Sequence, residues 1–318
     1  MRTMSFASLA YENKKKKTRR EKFLEEMNQV IPWEEILQVI EEYYPKAGSG
    51  RQPMPMERML RIYFMQQWYG LSDPAMEDAL YDIESIRRFA DIDIEVDVIP
   101  DETTILNFRH LLERHELTKK IFEKTKQYLS EKGLLLREGT IVDATIINAP
   151  SSTKNRDNTR DKEMKQTKKG NQWYFGMKAH VGTDTGKGLA HSIVVTDAAV
   201  HDSRVMDDLL HGEEKSVYGD KAYTSKEKKE EYEARGVKWC VNKKANRGHQ
   251  LSQEEVEYNH RQSQVRAKGE HAFLVVKHLW HYTKVRYKGL YKNAAQVFSM
   301  FALANLYLVR RELLSIGA

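Results

Sequence analysis

The sequence predicts an α/β protein in two parts, an all-α region over residues 1–133 followed by a mixed-sheet region over residues 134–318. Three observations predict it. Apolar side chains recur at helical spacing up to Gly133. Apolar, β-branched runs begin at about residue 138. From there, strand-like and helix-like segments follow in the order β-β-β-α-β-α-β-α.

In the first region, "KKKKTRR" (14–20) is a basic block able to bind phosphates or simply to stay solvated. "YPKAGSGRQP" (44–53) is a loop by its Gly and Pro content. Met56, Met59, Leu60, Tyr63, Phe64 and Trp68 then share a helical face. Gly70 ends that helix, Ser72 caps the next, and Pro74 is tolerated in its first turn. Residues 71–93 read as two short helices in a helix-turn-helix-like layout, one that plain bundles share. "DETTILNFRHLLERH" and "LTKKIFEKTKQYLSEKG" add two amphipathic helices.

In the second region, "GTIVDATIINA" (139–149) is a strand. Residues 151–170 carry no large apolar side chain except Met164 and read as a loop or disordered excursion. Residues 171–197 form two strands joined by the turn "DTGKG". A helix over about 202–211, a strand at 216–220, a helix over 225–235 and a strand at 237–241 follow, before the helix that contains Glu270. Short turns make an antiparallel meander and helical crossovers make parallel neighbours. That order suits a ribonuclease-H-like mixed sheet.

The chain has 318 residues and a formal net charge of +6, so an anionic partner is compatible with its surface. One cysteine, Cys240, excludes an internal disulfide framework and a cysteine-rich metal site. The first residues are polar and charged where a signal peptide needs an apolar core, which predicts a cytoplasmic protein. The longest apolar stretch (294–309) is short and interrupted by Gln296 and Asn305, so it predicts a buried terminal helix and no membrane partner.

The acids carry the chemistry. Asp143 lies inside an apolar strand, where a carboxylate is paired, protonated or bound to a cation. Asp220 ends a second strand that the topology places beside the first; alone, it could merely start a turn. Glu270 lies within roughly 40° of Arg266 and Lys277 on an ideal helical wheel. Alone, those three residues read as an ordinary ion-pair arrangement. Two aspartates and a glutamate are hard oxygen ligands that favour Mg²⁺, with Mn²⁺ as a substitute, over Zn²⁺. Such a set supports two-metal chemistry on a phosphodiester. A rival zinc reading rests on His180, His191, His201 and Asp202, whose spacing fits no compact helical ligand motif.

Seven runs, "YPKAGSGRQPMPMERMLRI", "WYGLSDPAMEDALYDI", "VDATIINAPSSTKN", "QTKKGNQWYFGMKAHVG", "LLHGEE", "RAKGEHAF" and "KVRYKGLYKN", span nearly the whole chain. In them the sequence resembles the DDE-type transposases of the insertion sequence 5 family, within the wider insertion sequence 4 group. The resemblance implies a ribonuclease-H-like catalytic domain whose triad falls on Asp143, Asp220 and Glu270. The arginine and lysine of the group's last signature fall on Arg266 and Lys277, and its tyrosine position falls on Ser263. It further implies cleavage at insertion-element ends and joining of the 3′-hydroxyls to target DNA, by a homodimer associated with the nucleoid. Residues 1–133 would then help bind terminal inverted repeats. Arg266, Lys277, Lys168, Lys169, Trp173, Arg286 and Lys288 would contact DNA. A decayed transposase acting only as a DNA-binding repressor and a structure-specific nuclease are the alternatives.

Overall fold

The computed structural model describes residues 11, 13–49, 52–156, 158–245, 248 and 250–316. Gly50 and Arg51 of the loop expected over 44–53 therefore lie outside the described residues. The first region is helical: α1 (Arg19–Val30), α2 (Trp33–Glu41), α3 (Met56–Tyr69), α4 (Asp73–Asp82), α5 (Glu84–Phe89), α6 (Glu102–Arg114) and α7 (Leu117–Glu131). Local chemistry sets the ends. Thr18 and Glu21 form a reciprocal capping box on α1. Gly70 closes α3 in the left-handed region at φ 69°, and the Ser72 hydroxyl accepts the Ala75 N–H to open α4, with Pro74 in its first turn.

The second region holds a mixed sheet of β1 (Gly139–Asn148), β2 (Lys165–Lys169), β3 (Gln172–Asp184), β4 (Ala190–Asp197), β5 (Ser216–Gly219) and β6 (Lys238–Val241). β4, β3, β1, β5 and β6 lie side by side in that order. β1, β3 and β4 are antiparallel neighbours, and β5 and β6 run parallel to β1. This is the expected meander with parallel additions, and it sets β5 directly beside β1.

Three segments differ from the sequence expectation. Part of the polar stretch expected as a loop forms β2, which pairs along the start of β3 where that strand overhangs β1. Its residues are exposed or half-buried throughout, so no apolar alternation announces it. The helix expected over 202–211 is two 3₁₀ turns, Asp202–Val205 and Asp207–Leu209. Its buried Met206 and Leu209 are three residues apart, the repeat of a 3₁₀ turn. The Glu270 helix is broken into α9 (Gln253–Arg266), a 3₁₀ turn (Ala267–Gly269), α10 (Glu270–Leu274) and a π turn (Val275–Leu279).

Two apolar cores flank the sheet. The smaller collects Val142, Met206, Leu209, Val217 and Tyr223, together with Tyr232 of α8 (Lys226–Ala234). The larger joins Ile147, Met177, Ala179 and Val181 to the N-terminal helices and to α11 (Leu290–Leu308); α12 (Arg310–Ile316) adds Leu313. This core runs across residues 133 and 134, with Leu129, Leu134 and Leu135 all in it. Among the described residues, no helix is long and apolar enough to cross a membrane.

Candidate active site at the edge of the sheet

Side chains alternate along β1, so Ile141, Asp143, Thr145 and Ile147 share one face. β5 is in parallel register with Ile141 opposite Tyr218. Two residues further along both chains, Asp143 stands level with Asp220, the first residue beyond β5. The Asp143 Oδ1 accepts the Ala144 N–H at 2.8 Å. Asp220 Oδ1 accepts the Ala222 N–H at 2.7 Å and caps the 3₁₀ turn Lys221–Tyr223. Asp220 therefore does start a turn, and it also faces Asp143. Burial holds the Asp143 carboxyl above the usual carboxylate range, and the Asp220 charge adds to this. The Ala144 hydrogen bond, Arg266 and Lys169 act the other way.

The segment around Glu270 lies across the same face of β1. Arg266 Nη2 is 3.8 Å from Asp143 Oδ2. Gly269 is seated on the strand so closely that a Cβ there would lie 3.0 Å from Ile141 Cγ2. Lys277 Nζ donates to Thr145 Oγ1 and to the Ile146 carbonyl, both at 3.0 Å. Both cations around Glu270 are thus directed at β1. Glu270 itself is exposed at the start of α10. The three 3₁₀ residues before it each rotate the chain about 20° more than α residues, turning Glu270 roughly 60° further from the line of Arg266 than a regular α-helix would. Among the described residues, no group of three or more His, Cys, Asp or Glu side chains is gathered closely enough to hold a metal ion. The structure brings Asp143 and Asp220 together and leaves Glu270 outside that pair.

The expected DNA contacts divide into two groups. Lys168 and Trp173 are cross-strand partners on the β2–β3 hairpin, with Lys168 Nζ 5.9 Å from the indole centroid. Trp173 is 65% exposed, an unusual position for so large an apolar surface. Lys169, beside them, lies near enough to Asp143 and Lys277 to perturb both. An open groove of about 540 Å³ runs beneath this hairpin, lined by Asn148, Arg160, Gln166, Gln172, Trp173 and Lys284. Arg286, by contrast, is directed into the helical region, where its Nη1 donates to the Gln66 carbonyl near the end of α3. Lys288 is exposed on the same loop, whose Gly289 and Leu290 N–H groups are held by Asp161 and Glu163.

The histidines do not converge. His180 bonds Thr196 at 2.9 Å, with Asp202 3.7 Å from its other ring nitrogen. His191 bonds Thr140 at 3.1 Å and packs against His211. His201 caps its own turn. Burial lowers the pKa of His180 to about 4 and of His191 to about 3. These are neutral core histidines held at separate points of the meander.

The donor set fits a hard divalent cation in part. Asp143 and Asp220 stand level on neighbouring parallel stretches, and a cation would offset the burial, and the lesser repulsion from Asp220, that raise Asp143. Sequence reasoning missed the buried, unpartnered Tyr223 hydroxyl and the Lys178–Asp202 ion pair at 2.9 Å. Tyr223 lies three residues beyond Asp220, a spacing legible only once that turn is known to be 3₁₀.

The sheet order, with one antiparallel strand beside β1 and two parallel ones beyond it, and the carboxylate pair at its edge define a chain of the ribonuclease-H-like class. A family model described as a transposase DDE domain matches residues 135–306, and one described as a transposase domain (DUF772) matches residues 12–111. The chain belongs to the DDE transposase family. It is also similar to a solved cryo-EM structure of a piggyBac transposase synaptic complex with hairpin DNA, at 9% identity and a TM-score of 0.46, over 92% of this chain and 73% of that one.

Proposed function

We propose that this transposase belongs to the insertion sequence 5 family, binds the terminal inverted repeats of its element as a homodimer in the nucleoid-associated cytoplasm, cuts the ends and joins the freed 3′-hydroxyls to target DNA. The observation that carries this reading is the alignment of Asp143 and Asp220 at the ends of neighbouring parallel stretches, within a chain of this family. Asp143 and Asp220 would hold Mg²⁺, or Mn²⁺ in its place, and Glu270 would complete the ligand set. When bound, divalent cations supply the charge that stabilises the attacking and leaving oxygens of an in-line phosphodiester displacement.

The chain's own residues do the rest. Backbone N–H groups fix one oxygen of each aspartate, and the second oxygen of Asp143 lies 3.8 Å from Arg266 Nη2. Arg266 and Lys169 reduce the cost of crowding the carboxylates before a cation arrives. The hairpin carries Lys168 and Lys169 for phosphates, and the exposed Trp173 is a stacking platform for an unpaired base beside the groove. Lys277 and Arg286 would combine phosphate contact with a structural hold, since Lys277 already donates to Thr145 and Ile146 and Arg286 to Gln66.

The test is Asp143→Asn in the full chain, with a duplex bearing the element's terminal repeat and Mg²⁺ or Mn²⁺. End cleavage should fall at least 1,000-fold (on the order of 4 kcal/mol in the barrier), with end binding within about threefold of wild type. Cleavage surviving in the variant or in excess chelator would place the chemistry elsewhere. Wild-type protein that binds ends and never cuts would identify a repressor, and cutting of branched DNA without preference for ends a nuclease.

A further inference from the structure

Glu270 opens α10, a short helix set between two irregular turns of opposite sense. The 3₁₀ turn before it, Ala267–Gly269, is overwound, and the π turn after it, Val275–Leu279, is underwound. Three 3₁₀ residues add about 60° of rotation to a regular α-helix. A π turn closes i→i+5 bonds at about 4.4 residues per turn, so its first three residues take back about 54°. Lys277 is the third of them, and it therefore returns to the line of Arg266 while α10 alone stays rotated. The contacts agree. Arg266 Nη2 is 3.8 Å from Asp143 Oδ2 and Lys277 is bonded to Thr145 and Ile146, both against β1, while Glu270 between them is exposed. The overwound turn is held by its neighbours. The Lys268 carbonyl lies so close to Gly188 of the β3–β4 turn that no Cβ fits there, and Lys268 Nζ donates to the Thr185 carbonyl at 3.0 Å. α10 is lightly anchored: it buries Ala272, the smallest of its side chains, and leaves Leu274 50% exposed.

We propose that this segment is a rotary switch: when the 3₁₀ and π turns rewind to α-helix, α10 turns as a block by about 60° and carries Glu270 into the line of Arg266 and Lys277, onto the face of β1 where Asp143 stands. The flanks stay in place, because the two deviations cancel. The hydrogen bonds of a 3₁₀ turn are poorer than those of an α-helix, so rewinding offsets the contacts given up at Gly188 and Thr185. The structure holds the open position, with Glu270 outside the carboxylate pair. Positive charge held between Asp143 and Asp220 attracts the third carboxylate and favours the closed one. The inference rests on the proposed metal-binding role of the pair.

The test is a pair of distances in the full chain, read by pulsed electron paramagnetic resonance. One nitroxide is placed on Leu274→Cys and the other on Lys132→Cys or Lys215→Cys, all exposed positions, while the native Cys240 is buried. Labelled protein is diluted in unlabelled protein, bound to a duplex bearing the terminal repeat, and measured before and after Mg²⁺ is added. A nitroxide roughly 10 Å from the helix axis moves about 10 Å in a turn of about 60°, so at least one distance from Leu274 should change by about 5 Å or more. Distances from Val256→Cys on α9, ahead of the overwound turn, should hold. In Asp143→Asn the Leu274 shift should be absent. Unchanged Leu274 distances in a protein whose end cleavage is abolished by Asp143→Asn would leave the metal reading standing and overturn the rotation alone. Movement of Val256 together with Leu274, or a Leu274 shift that persists in Asp143→Asn, would also overturn it. If Asp143→Asn cuts ends as wild type does, the metal reading of the pair fails and the inference falls with it.

Discussion

At the scale of single residues, the charge states of buried groups separate structure from chemistry. His180 and His191 are held neutral by burial, with pKa values lowered to about 4 and about 3 against 6.5 in an unfolded chain. A depressed folded pKa means that the unfolded state binds the proton first as pH falls. Stability is therefore full above about pH 6.5 and is lost between 6.5 and about 4 by both histidines, then down to about 3 by His191 alone. Within the shared window each contributes about 1.4 kcal/mol per pH unit. The raised Asp143 carboxyl has the opposite sign, one group against two. Urea midpoints should hold from pH 7.5 to about 6.5 and fall from there to pH 5, and His191→Gln should flatten that fall. A flat wild-type profile over that range would mean that the histidines are protonated in the folded protein, which would reopen a functional role for them. Residue chemistry was legible for Asp143 because a carboxylate in an apolar strand needs a reason. The regular helical wheel expected around Glu270 is interrupted, because nothing in "RAKGEHAF" shows that Gly269 seats on Ile141 and that the helix turns 3₁₀ there.

Elements placed by periodicity or capping were legible in order: the α3–α4 junction from Gly70, Ser72 and Pro74, and β1 from its apolar run. Those placed by tertiary pairing alone were not. β2 is polar on both sides and exists because β3 overhangs β1, a fact about a distant partner. This matters for function, since β2 carries Lys168 and Lys169. If the hairpin tracks DNA, Lys168→Ala and Lys169→Ala should each reduce the log–log salt slope of end binding by about 0.9 on duplex or about 0.7 on a single strand. Lys277→Ala supplies the contrast. Its ammonium is held by Thr145 and Ile146, so its loss should lower Tm by a few degrees, roughly the effect of about 1 kcal/mol, in addition to reducing the slope. Equal slopes in the hairpin variants and the wild type, measured by fluorescence anisotropy over a salt series, would remove the hairpin from the DNA path.

At the scale of the whole molecule, the helical and sheet regions are continuous. α11 lies between them: Tyr63 of α3 bonds Ser299 at 2.9 Å, Gln296 donates to Gln67 at 3.1 Å, and Phe122 of α7 packs against Phe298. Arg310 of α12 pairs with Glu26 of α1 at 2.9 Å, and Arg286 reaches Gln66 from the loop before α11. This coupling bears on whether residues 1–133 form a unit. Val297, Met300, Phe301, Leu303 and Leu306 of α11 are all buried in the larger core. At about 1.5–3 kcal/mol for each side chain, removing them forfeits roughly 7–15 kcal/mol, as much as the total stability of a typical domain. The full chain should therefore melt in one cooperative transition by calorimetry and by circular dichroism. A fragment of residues 1–133 should show no cooperative melt, and its end-binding affinity should fall at least tenfold below that of the full chain. A fragment that melts sharply near the full-chain temperature and binds ends as tightly would show that the helices form a separable reader, and that α11 joins them to the sheet without being needed to fold them.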